Sequence, residues 1–285
     1  LPPVGLGHVS TIAVAAEALG FACLWTTETQ HDPFLPHTLI AEHTRRIQMG
    51  TGIAVSFARS PATLAYTAWD LAAQSQGRFI LGLGTQVKAH IERRFGMDWP
   101  ASVTGKLREQ VQVMRSLWNT WQNEAPLNFR GDYYKVTLMS PFFNPGPLSG
   151  IAPPPIYVAG VNTGLAKLAG ELCDGFLVHP FHTVDYLREV LRPAIQAGAA
   201  KEARPVGAVV VSASVFAATN EQEREFCRQQ VSFYASTPSY RAVMELHGWG
   251  EIAEKLSALA VRGEWGSMPG LISDKILTNF VTEAD

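Results

Sequence analysis

Short runs of Val, Ile, Leu and Phe recur along the chain and alternate with longer stretches whose apolar residues share one helical face. Apolar runs with little polar alternation mark strands covered on both faces, and helix-length spacers between them mark parallel sheets with crossover helices. Strands are predicted over residues 21–26, 47–55, 78–83, 156–159, 175–178, 206–216 and 279–282. Helices are predicted from Ser10, as cap, through Leu19 with Gly20 as the stop, over 61–73 opened by Pro61, and over 102–121. Further helices are predicted over 164–172, 184–197, 221–234, 240–246 and 252–261. About seven strands in β–α alternation point to an α/β protein, a (β/α)8 TIM barrel forming a single domain over residues 1–285. Between Ala125 and Pro155 the alternation breaks into a Pro-, Gly- and aromatic-rich stretch. There residues 127–130 and 133–138 flank Gly131-Asp132 like a hairpin, and this stretch reads as an insertion after the fourth unit. Leu1-Pro2-Pro3 reads as the loop after a first strand and residues 280–285 as an eighth strand without its closing helix, so incomplete terminal elements are expected.

Composition narrows the class. Hydrophobic residues make up 47% and charged residues 17% of the 285, which excludes intrinsic disorder and calls for a large buried core. Lys and Arg number 23 against 25 Asp and Glu, a net charge of −2, and no basic block stands out. A dedicated nucleic-acid or anionic-membrane surface is therefore not expected, and a small-molecule substrate is, with a homodimer as the assembly to look for. Cys23, Cys173 and Cys227 are odd in number and lack zinc-site spacing, so they read as reduced thiols of a cytoplasmic protein. No apolar run nears the roughly 20 residues of a membrane helix, and no basic-then-apolar leader is visible.

In such a barrel, functional groups lie where strands end and loops begin. After the 21–26 strand come Glu28, His31 and Asp32, residue types suited to acid, base or polarising roles; a solvated capping cluster is the competing reading. Gly50 and Gly52 interrupt the next strand, as at a bulge or a tight packing contact, and Arg59 beyond it reads better as the partner of a carboxylate than as the holder of an anionic ligand. Gly82 and Gly84 lack the third glycine of a dinucleotide fingerprint but suit close approach of a ligand to the main chain. The turn Ala159-Gly160-Val161-Asn162 precedes a helix, an arrangement that serves phosphate binding or packing equally well. His179 and His182 follow the next strand, either at the same mouth or on the surface. Met114, Leu117, Trp118 and Trp121 share a helical spacing that reads as core or subunit interface. His31, His37 and His43 are six residues apart, not the four of a helical metal site, and no metal is expected. No nucleophile elbow is present.

The run Leu19-Gly20-Phe21, Leu24-Trp25, Met49-Gly50-Thr51-Gly52-Ile53, Arg59-Ser60-Pro61 and Gly77-Arg78-Phe79-Ile80-Leu81-Gly82-Leu83-Gly84 resembles the luciferase-like monooxygenase superfamily. Tyr157-Val158-Ala159-Gly160 and residues 169–176 extend the resemblance over nearly the whole chain, and Glu28-Thr29-Gln30-His31-Asp32-Pro33-Phe34 with residues 86–90 is similar to its branch using the deazaflavin coenzyme F420. The resemblance implies a cofactor at the C-terminal mouth of the barrel and a non-prolyl cis peptide at Gly52–Ile53 backing one face of its ring. It implies phosphate and tail contacts at Thr85, Gln86, His90, Ala159, Gly160 and Val161, with Gly52, Ile53 and Gly84 beside the ring. Thr29 and Val87 stand where deazaflavin dehydrogenases of the superfamily carry a histidine and a proton-donating glutamate, so sugar-phosphate chemistry is not carried over, and His31, with Glu28, is the nearest catalytic candidate. The expected function is hydride exchange between F420 and an organic substrate. The alternatives are an FMN-dependent luciferase-like monooxygenase and a non-catalytic cofactor-binding barrel.

Overall fold

The structure, a computed structural model, describes residues 1–2 and 4–283. Pro3 of the expected opening loop, and Ala284 and Asp285 of the expected closing strand, lie outside the described residues. The chain forms two compact units, one of residues 1–159 and 172–175, the other of residues 160–171 and 176–285.

The first unit opens with α1 (Leu6–Ala18), five residues earlier than predicted: Ser10 lies inside the helix, and Gly5 precedes it without a side-chain cap. β1 (Cys23–Thr26), β2 (Gln48–Thr51), β4 (Phe79–Gly84) and β7 (Ile156–Gly160) follow one another across a parallel sheet, and β3 (Ala54–Val55) also pairs with β4. The single predicted strand over 47–55 is thus broken at Gly52–Ile53. β4 is buried along its whole length, consistent with its unalternating apolar sequence. Glycine at position 50 makes room for the strand neighbour's aromatic ring, since a Cβ there would come within 2.9 Å of Trp25 and of the Ile80 carbonyl oxygen.

Helices α2 (Leu35–His43), α3 (Pro61–Ser75), α4 (Lys88–Arg93) and α5 (Val103–Asn123) connect these strands. Ser60 caps α3 by accepting from Thr63 N–H, with Pro61 in the first turn, and Ser102 caps α5 by accepting from Gly105 N–H. The α5 stripe of Leu107, Val111, Met114, Leu117, Trp118 and Trp121 is buried, and Trp69 stacks on Trp118 and meets Trp121 edge-on. These tryptophans are core rather than a subunit interface. The hairpin in the insertion is shorter than predicted, β5 (Phe129–Arg130) against β6 (Lys135–Val136). Its turn is held by Glu109 of α5, whose carboxylate accepts from the N–H groups of Asp132, Tyr133 and Tyr134.

In the second unit, α6 (Thr163–Leu172) packs so closely on α8 (Arg192–Lys201) that a Cβ on Gly198 would strike the Lys167 carbonyl oxygen. β8 (Gly175–Val178) has the predicted bounds and neighbours β9 (Val210–Ala213). The strand predicted over 206–216 is instead β9 and a separate β10 (Phe216–Ala218), which pairs in parallel with β11 (Val281–Glu283). Similarly, the predicted helix over 184–197 splits into α7 (Val184–Tyr186), a π-helical turn at Leu187–Leu191 and α8. Pro193 lacks the N–H that a continuous α-helix would require, and the ladder shifts by one residue ahead of it. Asn220 caps α9 (Glu221–Ala235), and α10 (Arg241–Leu246), α11 (Gly250–Val261) and α12 (Asp274–Leu277) complete the unit. Asp274 receives both Arg224 (2.9 Å) and Arg228 (2.7 Å), which fastens α12 to α9 and holds its carboxyl below the usual range. Cys173 and Cys227 are buried, Cys23 is half-buried, and none of the three forms a disulfide among the described residues. No helix among the described residues is long and apolar enough to cross a membrane.

Candidate functional site

After β1 the chain turns over residues 27–34 and enters α2. Asp32 Oδ1 fixes this turn by accepting from Phe34 N–H (2.8 Å) and Leu35 N–H (3.2 Å). Thr26 Oγ1 donates to the Pro33 carbonyl (2.7 Å) and lies 2.9 Å from His37 Nε2. With the hydroxyl proton committed to Pro33, His37 must be the donor in that second contact. His37 is fully buried, its Nδ1 has no partner, and burial pushes its pKa down to about 3. It is a neutral structural histidine.

The carboxylates predicted as candidate chemistry share one guanidinium. Arg59 Nη1 donates to Glu28 Oε2 (2.7 Å) and Arg59 Nη2 reaches Asp32 Oδ2 (3.2 Å). Glu28 Oε2 also accepts from Val55 N–H at 2.6 Å, while Glu28 N–H donates to the Ile53 carbonyl (3.2 Å). Glu28 is buried and engaged on both its main chain and its side chain, so it ties β1 to the segment around Gly52–Ile53. The reading favoured for Arg59, a carboxylate partner, is the one the geometry shows. His31 is exposed at the rim of a shallow cleft with Thr27, Asp32 and Pro36; no hydrogen bond to its ring occurs among the described residues.

Sequence reasoning missed the residue that holds Arg59 in place. Gln110 of α5 is fully buried; it accepts from Ser56 Oγ and donates through Nε2 to the carbonyls of Ser56 (3.0 Å) and Arg59 (3.1 Å). The visible signal was a polar residue on the apolar face of an amphipathic helix, where an unpaired amide is costly.

The Gly52–Ile53 peptide bond is cis, and Gly52 N–H donates to the Thr26 carbonyl (2.6 Å). Ile53 is half-buried and lies against Gly84, where a Cβ would come within 2.6 Å of its side chain. Immediately after β4, Thr85 is buried, and Gln86 adopts a left-handed backbone (φ 57°) while its Oε1 accepts from Val87 N–H. A non-glycine residue in that region costs of order 1 to 3 kcal/mol and is over-represented at ligand sites. His90 is exposed on α4, and Ala159 is half-buried near the end of β7.

The remaining predicted contacts fall in the second unit. Gly160 accepts from His179 N–H (3.4 Å), Val161 is buried, and the Asn162 side chain donates to the Ser239 carbonyl (2.9 Å). His179 sits between two tyrosine rings, with centroids 4.8 Å from Tyr234 and 4.9 Å from Tyr240. Its Nδ1 accepts from Phe181 N–H (3.0 Å), and His182 Nδ1 donates to the His179 carbonyl (2.8 Å). Burial, with His182 adding to it, pushes the His179 pKa down to about 4.

The family model described as luciferase-like monooxygenase matches residues 2–285. An uncharacterized protein of Mycobacterium tuberculosis is 43% identical over 286 residues, covering 98% of this chain and 83% of its own length. The F420-dependent glucose-6-phosphate dehydrogenase of Segniliparus rotundus is 31% identical over 210 residues, 69% of this chain and 60% of that protein. Among solved structures, the coenzyme F420 dependent tetrahydromethanopterin reductase of Methanopyrus kandleri superimposes with a TM-score of 0.78 at 22% identity, over 98% of this chain and 83% of that one. The fold is thus the luciferase-like TIM barrel, the barrel expected from the strand pattern and the family expected from the resemblance.

Proposed function

Because the chain belongs to the luciferase-like monooxygenase family, we propose that this oxidoreductase exchanges a hydride between coenzyme F420 and a small organic substrate, as a single cytoplasmic barrel domain. The observation that carries this reading is the joint made by Ile53, Gly84 and Gln86. Glycine at 84 leaves the space that the Ile53 side chain occupies, and the strained Gln86 turns the main chain directly after the β4 end. We assign this surface of apolar atoms and main chain to the planar heterocycle.

Gly52, Ile53 and Gly84 would hold the ring. Thr85, Gln86, His90 and Ala159, in the same unit, would serve the phosphate and tail. When bound, F420 supplies the hydride-transfer chemistry, and the protein supplies orientation and electrostatics. His31, exposed and without a side-chain partner among the described residues, is the group free to hold or pass a proton. Glu28 acts by position, since its carboxylate is already committed to Arg59 and Val55.

Titrating the protein with F420 and, separately, with FMN, followed by fluorescence, tests the reading. Tighter binding of F420 is expected. Tighter binding of FMN would replace it with a flavin monooxygenase, and binding of neither would remove the cofactor assignment.

A further inference from the structure

In the second unit, the end of α8 turns the chain back alongside the helix. Ala203 adopts a left-handed backbone (φ 50°), Arg204 N–H donates to the Ala199 carbonyl (2.9 Å) and Ala203 N–H to the Ala200 carbonyl (3.1 Å), the paired bonds that close a helix C-terminus. Arg204 fastens the returning segment to α6, its Nη1 donating to the carbonyls of Ala169 (3.3 Å) and Gly170 (2.7 Å). A tight turn over residues 205–208 follows, closed by Ala208 N–H on the Pro205 carbonyl (3.1 Å), with Gly207 at φ 86° where this turn needs glycine.

Between α8 and this returning segment lies a cleft of about 250 Å³. From α8 it is lined by Arg192, Ile195 and Ala199, spaced as residues of one helical face, and from the start of β9 by Val209 and Val211, two apart as on one face of a strand. Val206, in the turn, is 93% exposed at the rim. Among the described residues no carboxylate lines the cleft; its charged side chains are Arg192 and Arg204. Arg192 is exposed, and its guanidinium makes no ion pair or hydrogen bond among the described residues. The cleft lies at the N-terminal end of β9, whereas barrel active sites are built at the C-terminal ends of the strands, so the chemistry proposed above does not use it.

We propose that this cleft is a second ligand site, for a small monocarboxylate with an apolar tail. The carboxylate rests on Arg192, and the tail lies against Ile195, Ala199, Val209 and Val211. A guanidinium presents two parallel N–H donors that match a carboxylate. On an open surface such a pair contributes little, so the tail supplies most of the binding energy by leaving water against these apolar side chains, and Val206 closes over it. Size and charge set the class. The cleft is smaller than the roughly 300 to 1,000 Å³ of sites for drug-sized ligands, so the tail is short. The guanidinium of Arg192 matches one negative charge, whereas a cation is repelled and a neutral alcohol of the same length gains only the tail contacts.

Calorimetric titration of the full chain with sodium octanoate, and with 1-octanol as the uncharged probe of equal length, tests the proposal by binding alone, so its outcome does not depend on the cofactor assignment. Octanoate is expected to bind about tenfold more tightly than 1-octanol, the contribution of a charged hydrogen-bonded pair. Arg192→Gln is expected to remove that difference, lowering octanoate affinity about tenfold and leaving 1-octanol as it was. Val206→Asp, which puts a negative charge at the rim, should likewise weaken octanoate selectively. Both positions are exposed, and both variants should melt as the wild type does. The proposal is overturned by no octanoate binding to the wild type, by 1-octanol binding as tightly as octanoate, or by wild-type octanoate affinity in Arg192→Gln. Sedimentation in which Val206→Asp separates a wild-type dimer would also overturn it, since the cleft would then be a contact between copies of the chain.

Discussion

At the scale of single residues, the histidines divide by what surrounds their ring nitrogens. His37 has one nitrogen donating to Thr26 and the other buried without a partner, so its charged form is excluded from the fold. Its folded pKa of about 3 lies below the ordinary histidine value of 6.5. The unfolded chain therefore binds more protons between those values, and the stability His37 contributes is present above about pH 6.5 and lost as the pH falls toward 3. By pH 5 this amounts to about 2 kcal/mol, and His37→Asn should flatten the dependence of unfolding free energy on pH between 7 and 5. Urea titrations at several pH values measure it, and a wild-type slope retained in the variant would contradict the assignment. His31 is the opposite case, exposed and without a side-chain partner among the described residues. His31→Ala should lower kcat by at least about 100-fold, the smaller end of general acid–base contributions, while leaving F420 affinity unchanged. Single-turnover kinetics with binding measured separately distinguish this from loss of loop packing, which would lower stability and spare the rate. Neither role was legible in spacing. The sequence places His31 and His37 six residues apart, and only the Thr26–Pro33 bond reveals which of them faces the core.

Elements were legible where one physical rule dominates. β8 has the bounds its apolar run indicates, and α5 begins at its serine cap. They were misread where two rules compete. The Gly52–Ile53 break in the predicted 47–55 strand and the π-helical turn before Pro193 each lie inside a segment whose hydrophobic pattern is continuous. α2 was missed because its opening, Leu35-Pro36, follows a loop rich in candidate chemistry; Asp32 capping its first turn was the available sign. Between elements, Gln110 is the link from α5 to the Arg59 segment, and through it to Glu28 and Asp32. Replacing it with leucine removes three hydrogen bonds and takes the acceptor from the buried Ser56 hydroxyl, so Gln110→Leu should cost about 2 to 3 kcal/mol despite its better match to the apolar stripe. Denaturant unfolding reads this directly, and an unchanged or raised midpoint would show that the amide network does not hold the segment.

For the whole molecule, the order of β–α units was enough to indicate the barrel class, and the family match over residues 2–285 agrees with it. The division of the chain into two compact units has no counterpart in composition, because the boundaries at 159/160, 171/172 and 175/176 fall within or beside regular elements rather than in polar linkers. The residues proposed to hold the ring, Gly52, Ile53 and Gly84, all lie in the first unit. That confinement makes one position decisive. A Cβ at Gly84 would meet the Ile53 side chain at 2.6 Å, so a larger residue there must displace Ile53 from the surface assigned to the ring. The most direct test is a pair of F420 titrations, on the wild type and on Gly84→Val, with circular dichroism to establish that the variant is folded. The account predicts F420 binding to the wild type that exceeds FMN binding, and at least a tenfold loss of F420 affinity in Gly84→Val. Equal F420 affinity in the two proteins, or a preference of the wild type for FMN, would contradict it.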